Sequence, residues 1–129
     1  MNKALRIFDV IQTADSFGLA NEINEGIDRN FPEKEIGVYL QINIGWEAAK
    51  AGIKPEFDLI RKECLEILEL ENLSLKGLMC IEPFFPEGQE EKSRDYFRKM
   101  KEIFDRLNKE EKMNLEVLSM GMSNTYKIA

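Results

Sequence analysis

Two serines and two methionines bracket a single glycine in "LSMGMS", residues Leu118 to Ser123, directly behind an apolar run. Ser119 ends a strand in this reading, Gly121 permits a turn that a side chain would obstruct, and Ser123 and Asn124 can cap the helix that follows. Backbone N–H groups at such a helix start, together with the Ser123 hydroxyl, form a concave set of donors suited to a phosphate dianion. From the pattern alone a plain strand–turn–helix junction, with Ser123 as an ordinary N-cap, is the stronger reading, because Gly and Ser are common in any turn. The methionines read more readily as packing than as chemistry.

Other chemistries are removed by composition. The chain has no histidine, which excludes Ser-His-Asp and Cys-His catalysis and histidine-ligated zinc. Cys64 and Cys80 are too few and too far apart for a CxxC motif, and their apolar neighbours suggest buried free thiols in a reducing compartment. A formal net charge of −6 argues against nucleic-acid binding, which rests on clustered Lys and Arg neutralising phosphates. The basic cluster "RKMK", Arg98 to Lys101, is interrupted by Glu102 and Asp105 and reads as a solvated helix face. No apolar run approaches the roughly 20 residues of a membrane span. The segment "MNKALRIFDV" has neither the apolar stretch nor the cleavage site of a signal peptide. A cytoplasmic protein without a membrane partner is expected.

Four runs must supply the scaffold for that turn: "DVIQ" (Asp9 to Gln12), "GVYLQINI" (Gly37 to Ile44), "LKGLMCI" (Leu75 to Ile81) and "LEVLS" (Leu115 to Ser119). They are largely apolar instead of cleanly alternating, as strands of a parallel sheet covered by helices are. Between them lie helical periods. The first follows Asp15 and Ser16, with Leu19, Ala20, Ile23 and Ile27 on one face. The second starts at Pro55 and carries Phe57, Ile60, Cys64, Ile67 and Leu68. The third repeats Phe97, Met100, Ile103, Phe104 and Leu107 at spacings of three and four. The order β-α-β-α-β-α-β, with a further helix after Ser123, predicts right-handed βαβ crossovers in an α/β fold. The loops after the second and third strands, Gly45 to Lys54 and Glu82 to Gln89, are long. The strands' carboxyl ends are therefore the decorated, ligand-binding face.

At 129 residues the chain is long enough for one domain and too short for a (β/α)8 barrel, which needs upwards of about 200. Four strands suit a partial (β/α)8 TIM-type barrel or a small open α/β domain. Open parallel edges of such a half-barrel invite association, so a homodimer through Val10 and Val117 is one expectation.

"LSMGMS" resembles the signature of the pyridoxal phosphate homeostasis proteins, the YggS-type barrels of the alanine racemase N-terminal class. "VIQTADS" is similar to that family's fourth-strand segment, "LQINIGWEAAKAG" to its fifth strand and E-x-x-K-x-G loop, and "LKGLMCIEP" to its sixth. "RDYFRKMKEIFDRL" resembles the helix before the signature strand. The five segments stand in the family's order and cover nearly all of residues 1–129. The resemblance implies a single partial domain binding pyridoxal 5'-phosphate, over strands four to seven of the barrel, with a role in vitamin B6 homeostasis and no established catalytic turnover. Carried over, Ser123 and the amides around Gly121 would hold the phosphate. Ser119, Met120 and Met122 would shape the pocket beside it, and Met79 and Asn43 would line the barrel mouth.

The family's cofactor-bearing lysine lies on its first strand, and its closing R-x-G segment near its eighth; neither is among these residues. Lys76 stands in the sixth-strand motif and reads as a solvated or helix-facing residue, and Lys50 belongs to a loop. Where the family usually carries acidic residues after the signature, this chain has Asn124 and Thr125. Two other readings stay open: an enzyme of the related racemase and decarboxylase barrels, and a cofactor-free half-barrel that serves as an assembly module.

Overall fold

A computed structural model describes residues 1–129. The elements run α1 (Asn2–Ile7), β1 (Val10–Ala14), α2 (Phe17–Asn30), β2 (Ile36–Gln41), α3 (Phe57–Leu68), β3 (Leu73–Met79), a 3-10 turn (Glu90–Ser93), α4 (Arg94–Glu111) and β4 (Val117–Ser119). The four strands are all parallel in the order β1-β2-β3-β4. This is the α/β partial-barrel architecture expected from the alternation.

In β2 and its extension, Ile36, Val38, Leu40, Ile42 and Ile44 are all buried in one core with Ile23 and Ile27 of α2, Ile60, Cys64 and Ile67 of α3 and Met100, Ile103 and Leu107 of α4. A period of two in the strand meets a period near 3.6 in each helix, so every element contributes one face. Val38 pairs with Leu75 but Tyr39 with Gly77, leaving Lys76 as the extra residue of a bulge. The shift in parity explains why the buried core positions of β3 are Leu73, Leu75 and then Leu78.

The sheet is curled. In a flat sheet the outer strands would lie about 14 Å apart, three strand spacings, too far for short side chains to meet. Here the Ser119 hydroxyl of β4 donates to Gln12 Oε1 of β1 at 3.3 Å. The face away from the helices is therefore concave, as a segment of barrel wall must be. Lys76 lies on it: its Cγ is 3.2 Å from where a Cβ on Gly37 would stand, beside the Val10 side chain. Being half-buried there, Lys76 is not helix-facing; it follows the core residue Leu75 and falls on the opposite, concave face.

Several boundaries move. Ser16 caps α2 as expected, accepting from the Leu19 N–H at 3.2 Å. The second helix begins at Phe57 with Glu56 as N-cap, so Pro55 stands just outside it. Leu68 is exposed. The segment after Ser123 forms consecutive turns instead of a regular helix. The helix α1, too short to show a period, plugs Leu5 into the core against Gly26. Arg98, Lys99 and Lys101 are exposed on α4, with Lys101 paired to Asp105 at 2.6 Å, and Cys64 and Cys80 are buried and free. No helix is long and apolar enough to cross a membrane.

Candidate functional site

The connection from α4 to β4 fixes where the signature lies. Lys112 and Asn114 both adopt left-handed backbone. The Asn108 side chain clamps Leu115 at both ends, donating to its carbonyl at 3.0 Å and accepting from its N–H at 2.7 Å. β4 then pairs with β3 at Gly77–Val117, Leu78–Leu118 and Met79–Ser119. Gly77 is required there, since a Cβ would sit 2.0 Å from the Val117 carbonyl oxygen.

Past Ser119 the chain turns at Gly121, whose φ of +100° disfavours any L side chain. Met122, and not Ser123, takes the N-cap position of the turn that follows. Its carbonyl accepts from the Thr125 and Tyr126 N–H groups at 3.0 and 2.8 Å, and its own N–H donates to Thr125 Oγ1 at 2.8 Å. That reach-back is the geometry of a capping box, with threonine in the place of the usual Glu or Gln. Ser123 is thereby released from capping. Its side chain is exposed, and the N–H groups of Gly121, Ser123 and Asn124 have no acceptor within the chain. Orphan amides and a free hydroxyl at the carboxyl end of a strand fit a phosphate group.

The expected site residues do not all converge. Ser119, Gly121, Met122 and Ser123 share the turn, and Met79 is buried opposite Ser119 on β3. Met120 packs against the helix-side core. Asn43 is buried and its side chain staples its own loop, donating to the Glu47 and Lys50 carbonyls at 2.8 and 3.0 Å and accepting from the Glu47 N–H at 3.0 Å. It shapes a neighbouring cavity of about 330 Å³ lined by Trp46, Glu47, Ala48, Lys50 and Gly52.

One residue escaped the sequence reading. Glu82, in the loop after β3, is wholly buried, and its Oε1 accepts the hydrogen bond of the Thr125 hydroxyl while its Oε2 has no partner. A carboxylate thus reaches the turn from another loop. Only the position after an apolar strand hinted at this, and that position suited a solvent-facing loop equally. Lys50 Nζ contacts the Glu82 main-chain oxygen at 3.2 Å and Glu47 Oε2 at 2.5 Å. The Asn124 side chain donates to the Phe85 carbonyl at 3.4 Å. The three loops at the strands' carboxyl ends therefore touch one another. Burial, reinforced by Glu82 and opposed by Lys50, pushes the nearby Cys80 thiol up to about 12, so it stays protonated and is no nucleophile at neutral pH. No group of three or more acidic or cysteine side chains is placed to hold a metal ion.

A family model described as alanine racemase, N-terminal domain, matches residues 1–128. The chain belongs to the alanine racemase N-terminal domain family. Within it, the pyridoxal phosphate homeostasis protein of Aquifex aeolicus is 37% identical over 121 residues, 93% of this chain and 50% of that protein. The protein of the same name from Haemophilus influenzae is 36% identical over 118 residues, 91% of this chain and 47% of that protein. The chain thus spans about half the length of the curated relatives it matches. PipY of Synechococcus elongatus, solved with pyridoxal phosphate (PLP) bound, superposes with a TM-score of 0.81 at 25% identity, over 99% of this chain and 57% of that one. The alanine racemase of Clostridium difficile superposes at 0.73 with 18% identity, over 94% of this chain and 32% of that one, and attests the fold alone.

Proposed function

We propose that residues 1–129 form one partial barrel domain of a cytoplasmic, non-catalytic protein that binds pyridoxal 5'-phosphate and serves its intracellular homeostasis. The observation that carries this reading is the turn at Gly121 to Asn124. Its three unpartnered amides and the free Ser123 hydroxyl stand at the carboxyl end of β4, in a chain whose relatives are named for pyridoxal phosphate homeostasis. In this reading Ser123 and the amides of Gly121, Ser123 and Asn124 receive the phosphate. Ser119 and Met79 shape the floor, and Asn43 holds the neighbouring loop in place. When bound, the cofactor supplies a reactive aldehyde. The chain's part is to orient it by its phosphate, and no histidine is present to act as general acid or base beside it.

Incubation with pyridoxal phosphate, borohydride reduction and intact mass spectrometry test this. A single adduct, mapped to one lysine and suppressed by excess inorganic phosphate, is expected if these residues keep a working site. Absence of binding by both reduction and equilibrium titration removes the reading, and racemisation of an amino acid would replace it with the enzymatic one.

The exposed Val10 on edge strand β1 favours a second reading, a homodimer that pairs open sheet edges. Light scattering at a monomer mass sinks it, whereas dissociation by Val10→Lys or Val117→Lys supports it.

A further inference from the structure

We propose that Glu82 is a positioning residue for the phosphate-facing turn, acting through Thr125, and that the turn requires a hydrogen-bond donor at one member of the 82–125 pair matched to an acceptor at the other.

The hydrogen-bond inventory leads there. Thr125 Oγ1 carries one proton and lone pairs. Giving that proton to Glu82 Oε1 leaves a lone pair for the Met122 N–H, which meets it at 2.8 Å. The chain Met122 N–H to Thr125 Oγ1 to Glu82 therefore has one direction. It ends on an acceptor that needs no proton of its own. Its consequence lies in the turn: the Met122 amide is drawn inward while the amides of Gly121, Ser123 and Asn124 are left unpaired. Without an acceptor behind it, the Thr125 hydroxyl is free to rotate its proton toward Met122, where donor would face donor. The turn then loses the bond that orients it.

Burial makes this more than a local contact. Glu82 is fully buried and Thr125 nearly so, and Glu82 Oε2 has no partner. Burying a carboxylate with one oxygen unsatisfied is costly, so stability alone would favour an apolar side chain there. The charged group that the structure places against Glu82 is Lys50, from the loop after β2. Lys50 Nζ lies on its main-chain oxygen at 3.2 Å and is shared with Glu47. The turn contributes only the Thr125 hydroxyl. A carboxylate held this way communicates with the site through one residue.

This inference rests on the phosphate reading above, and its test separates the two. In the 15N-labelled full chain, hydrogen exchange of the Met122 amide is followed without ligand, and the amides of Gly121, Ser123 and Asn124 are followed while inorganic phosphate is added. Thr125→Val and Glu82→Leu are expected to speed Met122 exchange and to weaken phosphate binding by about tenfold, the size of one charge-assisted hydrogen bond. Glu82→Gln, which retains an acceptor oxygen, is expected to stay within about threefold of the parent.

Thr125→Asp sets two acceptors face to face and is expected to lose binding as Thr125→Val does. Adding Glu82→Gln to Thr125→Asp restores a donor–acceptor match and is expected to recover binding, a rescue that general loss of packing does not produce. The inference is overturned if Met122 exchange is the same in all variants, or if the double variant is as weak as Thr125→Asp. Phosphate failing to shift any of the three amides in the parent chain would instead remove the phosphate reading, and Met122 exchange would decide the role of Glu82 by itself.

Discussion

Replacing Gly77 by alanine is expected to unfasten β4 and with it the site. The Cβ so created stands 2.0 Å from the Val117 carbonyl oxygen, 2.7 Å from its carbon and 3.0 Å from the Val117 Cβ. Carbon and oxygen in sheets approach no closer than about 3.3 Å even in favourable contacts, so β4 must retreat by more than about 1 Å. The flanking bonds, Glu116 N–H to the Lys76 carbonyl at 2.7 Å and Cys80 N–H to the Ser119 carbonyl at 3.0 Å, then stretch beyond hydrogen-bonding range. Together with the ladder between them, the loss comes to about 3 kcal/mol at roughly 1 kcal/mol per bond. For a chain of this size that lowers Tm by about 10 °C. Thermal unfolding by circular dichroism measures the shift, and hydrogen exchange at Cys80 and Glu116 locates it. A Tm within about 2 °C of the parent, with both amides as protected as before, would refute the claim that close approach at Gly77 holds β4 in place.

Ser123→Ala is expected to weaken phosphate binding by about tenfold with Tm unchanged, because the side chain is exposed and makes no bond within the chain; isothermal titration and a melt read both. Ser16→Ala removes the acceptor of the Leu19 N–H and should cost about 1 kcal/mol, read by chemical denaturation. Burial, with a smaller contribution from Glu63, pushes the Cys64 thiol up to about 12 from an ordinary value of 9.0. The folded state therefore keeps a proton that the unfolded chain releases, and this contribution to stability is full below pH 9 and fades as pH rises toward 12. Cys64→Ala should thus flatten the alkaline fall in stability, in denaturant melts between pH 8.5 and 10.5 relative to the parent, by about one proton per molecule.

The sheet and its helices were legible because the cues are local and repeated. Gly37 to Ile44 form one largely apolar run, and Phe97, Met100, Ile103 and Leu107 mark one stripe of α4. Each pattern needs only neighbours in the chain to be read. The six residues of α1 were not legible, since so short a stretch shows no period and Leu5 is held by Gly26, 21 positions away. The boundary at Pro55 slipped by two residues because proline is tolerated both at the first helical position and just outside it.

The candidate site divides along the same line. The sequence alone determined that a strand, a glycine turn and two serines would meet at residues 118–123, because strand propensity and a turn glycine are properties of the chain's own covalent order. It could not determine which residue caps that turn, since Met122, Ser123 and Asn124 are equally near its start; hydrogen bonding to Thr125 decided it. Nor could it decide which way Lys76 points, because the core residues on either side of it, Leu75 and Leu78, are three apart and give no single parity to read it from. Glu82 lay furthest from view. A glutamate 43 positions before Thr125 in the chain reads as surface charge, and only the curling of the sheet and the contact of two loops buried it behind the turn at Gly121 to Asn124. Periodicity fixes which face of an element is apolar. Which polar groups meet across elements depends on distances that exist only after the chain has closed on itself.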